Sequence, residues 1–212
     1  MITLFVALLY LYVRYPFHQY LNTWWAWPVW LIGLLLLIGI IPVVGAPLKH
    51  QLRGEEGEQD VADILDELPE SYIYLSNINL EGKGNIDYVL MGPPGIWTIE
   101  VKSHAGNITF NGAELERDGE LLEKDFLKQA WAEAYSVKDL LKNKLGRYLE
   151  VRSVIVFSDP DTEMKFGLNP IKGVYIINSV WLRKLVLQGR NILGKEEIDK
   201  ISGAIKEANI KD

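Results

Sequence analysis

Asp87, Glu100 and Lys102 carry the chemistry this sequence is best equipped to perform. They lie in two runs rich in β-branched and aromatic residues, Gly84-Asn85-Ile86-Asp87-Tyr88-Val89-Leu90 and Ile96-Trp97-Thr98-Ile99-Glu100-Val101-Lys102, separated by Gly92-Pro93-Pro94-Gly95. Such runs flanking a Gly/Pro cluster predict a β-hairpin. Pairing that is symmetric about the turn puts Met91 opposite Ile96. Counting back along both strands then puts Asp87 opposite Glu100, with Cβ atoms about 5 Å apart. Lys102, two residues further on, projects on the same face as Glu100. Two opposed carboxylates repel unless a positive charge lies between them. A hard divalent cation, Mg²⁺ or Mn²⁺ in its place, answers that need, because it binds through one or two carboxylates and completes its shell with water and phosphate oxygens. An adjacent lysine can act on an attacking water and stabilise charge building on the phosphate. A lone Glu-x-Lys would be an ordinary solvated cluster, and the register with Asp87 is what favours chemistry.

The elements that must position these groups can be read from periodicity. Residues 54 to 68 read as a helix with Val61, Ile64, Leu65 and Leu68 on its apolar stripe. Glu58 falls about 50° from the middle of that stripe, so it points toward the domain body and needs a partner or a metal. Glu58 also has a simpler role, as negative charge in the first turn of a helix. Strands are expected over 72 to 78, 86 to 90, 96 to 102 and 108 to 110, then over 152 to 157 and 173 to 177. A long helix over 123 to 145 shows Phe126, Ala130, Ala134, Val137 and Leu141 on one face, with Gln129 beside that stripe. Two helices close the chain, the second beginning after Gly194. His104 is expected as a hydrogen-bonding group at a strand end, and Asp159-Pro160-Asp161 as a turn.

Charge divides the 212 residues unequally. Of 22 Lys and Arg, only Arg14 and Lys49 precede residue 51, whereas all 28 Asp and Glu lie beyond it, leaving residues 51 to 212 at a formal −8. Trp24 to Ala46 is an uncharged run, long enough as a helix to cross the roughly 30 Å hydrocarbon layer. Trp24, Trp25, Trp27 and Trp30 supply an interfacial belt at one end, and Lys49 and Arg53 past the other end place the rest of the chain in the cytoplasm. With an apolar run over 2 to 15, residues 1 to 50 form a membrane anchor of two helices, about 2–15 and 24–46. A single crossing is the alternative. Residues 51 to 212 then form a cytoplasmic domain on a cell-membrane protein whose partners include the lipid bilayer. The chain has no cysteine, which excludes a disulfide framework.

The order of these motifs carries a resemblance. A helix with Gly57-Glu58 and Val61, then Ile86-Asp87, then a strand ending in Glu100-Val101-Lys102 resembles the nuclease-related domain (NERD) family, within the PD-(D/E)xK superfamily of restriction-endonuclease-like folds. The resemblance covers about residues 54 to 160 and implies an α/β domain, a mixed β-sheet flanked by helices. It also implies a nuclease that cuts nucleic acid, DNA ahead of RNA. By that resemblance Asp87 and Glu100 ligate Mg²⁺, with the Val101 carbonyl as a further ligand, and Lys102 acts on the water. Glu58 assists, and Gln129 places substrate or metal. Family members often carry Asn-Pro four and three residues before the helix glutamine, where this chain has Asp125-Phe126. The acidic balance pulls the other way, since nucleic-acid affinity comes largely from Lys and Arg on phosphates. Lys124, Lys128, Lys138, Lys142, Lys144 and Arg147 are basic candidates on the long helix. The alternative function is a membrane-tethered, catalytically weak nuclease-fold module for binding or signalling.

Overall fold

A computed structural model of the chain describes residues 54–80 and 84–209. The expected anchor helices over 2–15 and 24–46 lie outside the described residues. No helix among the described residues is long and apolar enough to cross a membrane.

The domain is mixed α/β. Its first helix, α1, spans residues 54–66. Three strands come next as an antiparallel meander, β1 (Ile73–Leu80), β2 (Gly84–Gly92) and β3 (Gly95–Lys102). Met91 pairs with Ile96 across the tight Gly92–Gly95 turn, the register the Gly/Pro cluster predicts. β7 (Val151–Phe157) then lies parallel to β3, and β9 (Val174–Asn178) lies parallel to β7. The sheet order is β1-β2-β3-β7-β9, so β3 sits in the middle, where the antiparallel half meets the parallel half. A strand covered on both faces should read as a continuous apolar run. β3 does, apart from Thr98, Glu100 and its last residue, Lys102.

A second sheet goes beyond the sequence expectations. It comprises β4 (Gly106–Phe110), β5 (Leu115–Arg117), β6 (Glu120–Leu121) and β8 (Thr162–Met164), in the order β6-β5-β4-β8. Only β4 is expected from sequence, because the others are two or three residues long and too short to show an alternation.

The long helix α2 spans Phe126–Leu145, starting three residues later than the periodicity suggests. Asp125 sets that start: its side chain accepts the Lys128 N–H at 3.0 Å and caps the helix. Gly146 ends it in the left-handed conformation, donating its N–H to the Lys142 carbonyl. A single turn at Ser179–Trp181 leads into α3 (Leu182–Leu187), and α4 (Lys195–Ala208) begins after Gly194 as expected.

Alternation along β3 sorts the core between two faces. Trp97, Ile99 and Val101 face α1 and α3, packing with Val61, Leu65, Leu182 and Val186. The opposite face, with Val89, Met91 and Ile96, packs on Val137 and Leu141 of α2 and Ile198, Ile201 and Ile205 of α4. Burying such side chains contributes about 1.5–3 kcal/mol each. Glu100 and Lys102 therefore project on the α2 side.

Candidate active site

Glu100 is 4% exposed, a carboxylate set into an apolar central strand. The ladder between β2 and β3 runs as far as Tyr88 opposite Ile99 and stops there. The next pair in register is Asp87 with Glu100, as the hairpin spacing predicts. In its place the Val101 N–H donates to Asp87 Oδ2 at 2.8 Å, so a side-chain carboxylate takes the position of a ladder carbonyl. Asp87 is skipped by the β1 ladder too, which passes from Ser76–Tyr88 to Ile78–Ile86 with Asn77 at a φ of 52°. The carboxylate thus splits the sheet at the C-terminal end of β3.

Four groups meet at that split. Lys102 Nζ is ion-paired to Glu100 Oε1 and lies 4.6 Å from the centre of the Phe126 ring. Gln129 Nε2 donates to the same Glu100 oxygen at 2.6 Å and to Glu133 Oε1 at 2.9 Å. Asp125 and Phe126 depart from the Asn-Pro that the resemblance implies, yet the aspartate caps α2 and the phenylalanine packs beneath Lys102, so the helix still delivers Gln129 to Glu100. Glu58 stands at the margin, half-buried on α1. The Tyr88 hydroxyl donates to the Glu58 carbonyl at 2.9 Å and fixes α1 over β2.

The electrostatics record an excess of negative charge. Burial, then the Glu100 charge, pushes Asp87 up to about 7 against the opposing effect of its Val101 bond. Burial and the Glu100 charge likewise push Glu133 up to about 8. Glu58 is raised by burial first and by Glu100 and Glu55 after it, while Lys102 acts in the opposite direction. One lysine does not neutralise this set. Perturbations of this kind, from burial and like charges, gather at functional sites.

Glu133 escaped sequence reasoning. At 100° per residue it lies 60° from Ala130, the middle of the α2 stripe, nearer than Gln129 at 100°. A carboxylate so close to a buried stripe, four residues after a candidate glutamine, was the available signal. His104 matches its expected role: its Nε2 lies 3.0 Å from Glu123 Oε1 and its ring packs edge-on against Phe126 and Phe157. Asp159 to Asp161 forms the expected turn, with the Thr162 N–H on the Asp159 carbonyl at 3.1 Å.

A divalent cation suits these residues. Glu100 Oε2 and Glu133 Oε2 are buried and receive no N–H donor, the two carboxyls facing each other. The donors are all oxygens, which hard cations prefer. Among the described residues no three acidic, histidine or cysteine side chains form a metal cage by themselves. An ion here would take two carboxylates and draw its other ligands from backbone, water and substrate, the usual pattern for Mg²⁺.

A model of the nuclease-related domain (NERD) family matches residues 53 to 158, half of the chain. The chain belongs to that family. Among solved structures, the small subunit of a heterodimeric restriction endonuclease is similar at 15% identity, covering 73% of this chain and 90% of its own, with a TM-score of 0.30. No curated protein matches.

Proposed function

We propose that this protein is a membrane-anchored, metal-dependent nuclease that hydrolyses phosphodiester bonds, with DNA the favoured substrate. The observation that carries it is the convergence of Asp87, Glu100, Lys102 and Gln129 where β2 and β3 part. Membership of a nuclease-related family supports the same reaction class.

Asp87 and Glu100 would hold Mg²⁺, or Mn²⁺, which when bound polarises the phosphate and lowers the cost of the charge that develops there. The Val101 carbonyl is suited to join them. The Lys102 carbonyl accepts the Ser158 N–H on the β7 side, so by alternation the amide groups of Val101 both face the opened β2 side. Gln129 holds the orientation of Glu100 by its 2.6 Å bond. Lys102 positions the attacking water and offsets negative charge on the phosphoryl oxygens. Glu58 contributes a carboxylate at the mouth, available to orient water. Residues 1 to 50 would tether the domain to the cell membrane, with residues from 51 onward in the cytoplasm.

A tethered module that binds but scarcely cuts is favoured by two observations. One is the formal −8 beyond residue 50, and the other is the direct pairing of Lys102 with Glu100.

Residues 52 to 212 form a compact unit of their own, which makes a fragment starting at 51 a suitable reagent. The test is cleavage of labelled single- and double-stranded DNA and RNA with Mg²⁺ or Mn²⁺, beside Asp87→Ala and Lys102→Ala. Cleavage by the parent and by neither variant is expected. A folded parent that cuts nothing and binds metal no better than Asp87→Ala would leave the tethered module as the function.

A further inference from the structure

The two flanks of α2 have different surfaces. Gln129 and Trp131 lie on opposite sides of Ala130, each about 100° around the helix. The Gln129 flank faces the carboxylates, and the Trp131 flank faces solvent. Trp131 and Tyr135 are 52% and 55% exposed, with ring centroids 5.9 Å apart. Exposed large aromatics side by side on one helix are costly to leave in water, and contiguous apolar patches mark binding sites. The indole is held in place: its Nε1 donates to the Lys172 carbonyl at 3.0 Å. Beside it opens a groove of about 530 Å³ lined by Leu127, Lys128, Trp131, Lys172 and Val174, with the capping Asp125 at its edge. That volume falls in the range of small-molecule sites and accepts a base with its sugar.

Lysines outnumber the one carboxylate at this groove, Asp125, whose Oδ1 is engaged by the Lys128 backbone N–H. The basic candidates of α2 fall into two groups. Toward the C-terminal end, Lys144 pairs with Glu207, Arg147 pairs with Glu197, and Lys142 sits over Tyr148. Toward the groove, Lys128 is exposed and Lys138 lies 5.6 Å from the Tyr135 ring centre. Lys172 is directed to the Ala113 carbonyl. No carboxylate among the described residues forms a salt bridge with Lys128, Lys138 or Lys172. On a domain of formal −8, this concentrates cations without salt-bridge partners around two exposed rings.

We propose that the Trp131–Tyr135 flank of α2, with Lys128, Lys138 and Lys172, binds an unpaired segment of the nucleic-acid substrate, one base stacking on Trp131 while the lysines take the neighbouring phosphates. Its ligand class rests on the nuclease assignment. Aromatic side chains in a basic groove bind single strands with little sequence preference, because every base presents a π-face, whereas a paired base keeps that face in its own stack. The groove and the carboxylate site lie on either side of one helix about 10–12 Å across, so a strand passing round its outer surface covers about 14–17 Å. At 3.4 Å per nucleotide of stacked strand, that corresponds to about four or five nucleotides between the stacked base and the reacting phosphate. The platform thus selects substrates that are single-stranded beside the cut, and explains how an acidic domain holds a polyanion.

The test is binding of a fluorescent oligothymidylate of about twelve nucleotides, and of a blunt duplex of equal length, to the full chain in EDTA, read by anisotropy. Without metal the assay reports binding alone, so it stands or falls separately from the cleavage test. Tighter binding of the single strand is expected. Trp131→Ala should weaken it about 5- to 150-fold, the range for losing one stacked base, while Trp131→Phe retains most of it. Lys128→Glu, a change at an exposed position, should lower the slope of log affinity against log salt by about one. Single-strand affinity unchanged in Trp131→Ala and Lys128→Glu would overturn the proposal. So would equal binding of the duplex, or no oligonucleotide binding with a self-association that Trp131→Ala abolishes. Trp131-dependent binding by a protein that cuts nothing would uphold the platform and refute the nuclease. Cleavage with Trp131-independent binding would do the reverse.

Discussion

Glu133→Gln should stabilise the metal-free protein at alkaline pH and do little at acid pH. The native state lifts this carboxyl from an ordinary 4.5 to about 8, by burial and then by the Glu100 charge. The folded form therefore holds its proton more tightly than the unfolded chain, and stability must fall as pH rises between those two values. Below about 4.5 both states are protonated and nothing is lost. Above about 8 the full cost is present. A shift of this size at about 1.4 kcal/mol per pH unit sets an upper bound near 5 kcal/mol. The repulsion is shared with Glu100 and partly relieved by Gln129, so about 2–3 kcal/mol is expected. Gln keeps the shape and an oxygen to accept the Gln129 N–H at the position of the 2.9 Å bond. Urea unfolding in EDTA at pH 5 and pH 8.5, followed by tryptophan fluorescence, measures the difference. The variant should exceed the parent by under 1 kcal/mol at pH 5 and by about 2–3 at pH 8.5, or about 4–12 °C in Tm for a domain of this size. A gain no larger at pH 8.5 than at pH 5 would refute the argument.

Other consequences are simpler to state. Asp87→Asn keeps an oxygen for the Val101 N–H and removes a carboxyl raised to about 7. It should therefore stabilise the metal-free fold above pH 7, and Mg²⁺ or Mn²⁺ should raise the Tm of the parent but not that of the variant, as read by calorimetry. Lys102→Ala should lower cleavage about 10²- to 10⁴-fold, the scale for a group acting on the reacting water, and Lys102→Arg should recover little, since Nζ sits between Glu100 and the Phe126 ring. A Cβ at Gly57 would overlap Ser158 Oγ and lie 3.1 Å from Ser158 Cβ. Gly57→Ala should cost about 1–3 kcal/mol by denaturant unfolding, and adding Ser158→Ala should return most of it.

The range of the forces involved decides which features were legible in the sequence. The opposition of Asp87 and Glu100 was legible because a tight Gly/Pro turn fixes register and a period of two fixes the face. Both are local properties, and the structure keeps them up to Tyr88 opposite Ile99. The Asp87 bond to the Val101 N–H was not legible, since a carboxylate replacing a ladder carbonyl leaves no mark on hydrophobic periodicity. The second sheet was hidden for a different reason. Leu115–Arg117, Glu120–Leu121 and Thr162–Met164 gain their strand character from partners outside their own short runs, so no pattern within them announces it. Glu133 lay between these cases: its helical position was readable, but a glutamate in a solvated-looking series reads as surface until Glu100 is seen beneath it.

That glutamate ties the legible part to the hidden part. A buried strand such as β3 tolerates Glu100 only because Lys102 and Gln129 both bind one of its oxygens. Those bonds leave Oε2 of Glu100 and Oε2 of Glu133 buried without an N–H donor, carboxyl facing carboxyl. A fold optimised for stability alone would have placed an apolar pair there, since an unsatisfied buried polar atom costs about 1–3 kcal/mol. The retained deficit is electrostatic and has a definite sign. It suits a cation held through oxygen, and under the proposed metal-dependent function loss of a carboxylate should raise stability and remove activity. Asp87→Asn should therefore yield a protein that is both firmer without metal and inert with it. A tethered module with no need of metal would show the first effect without a metal response in the parent to lose.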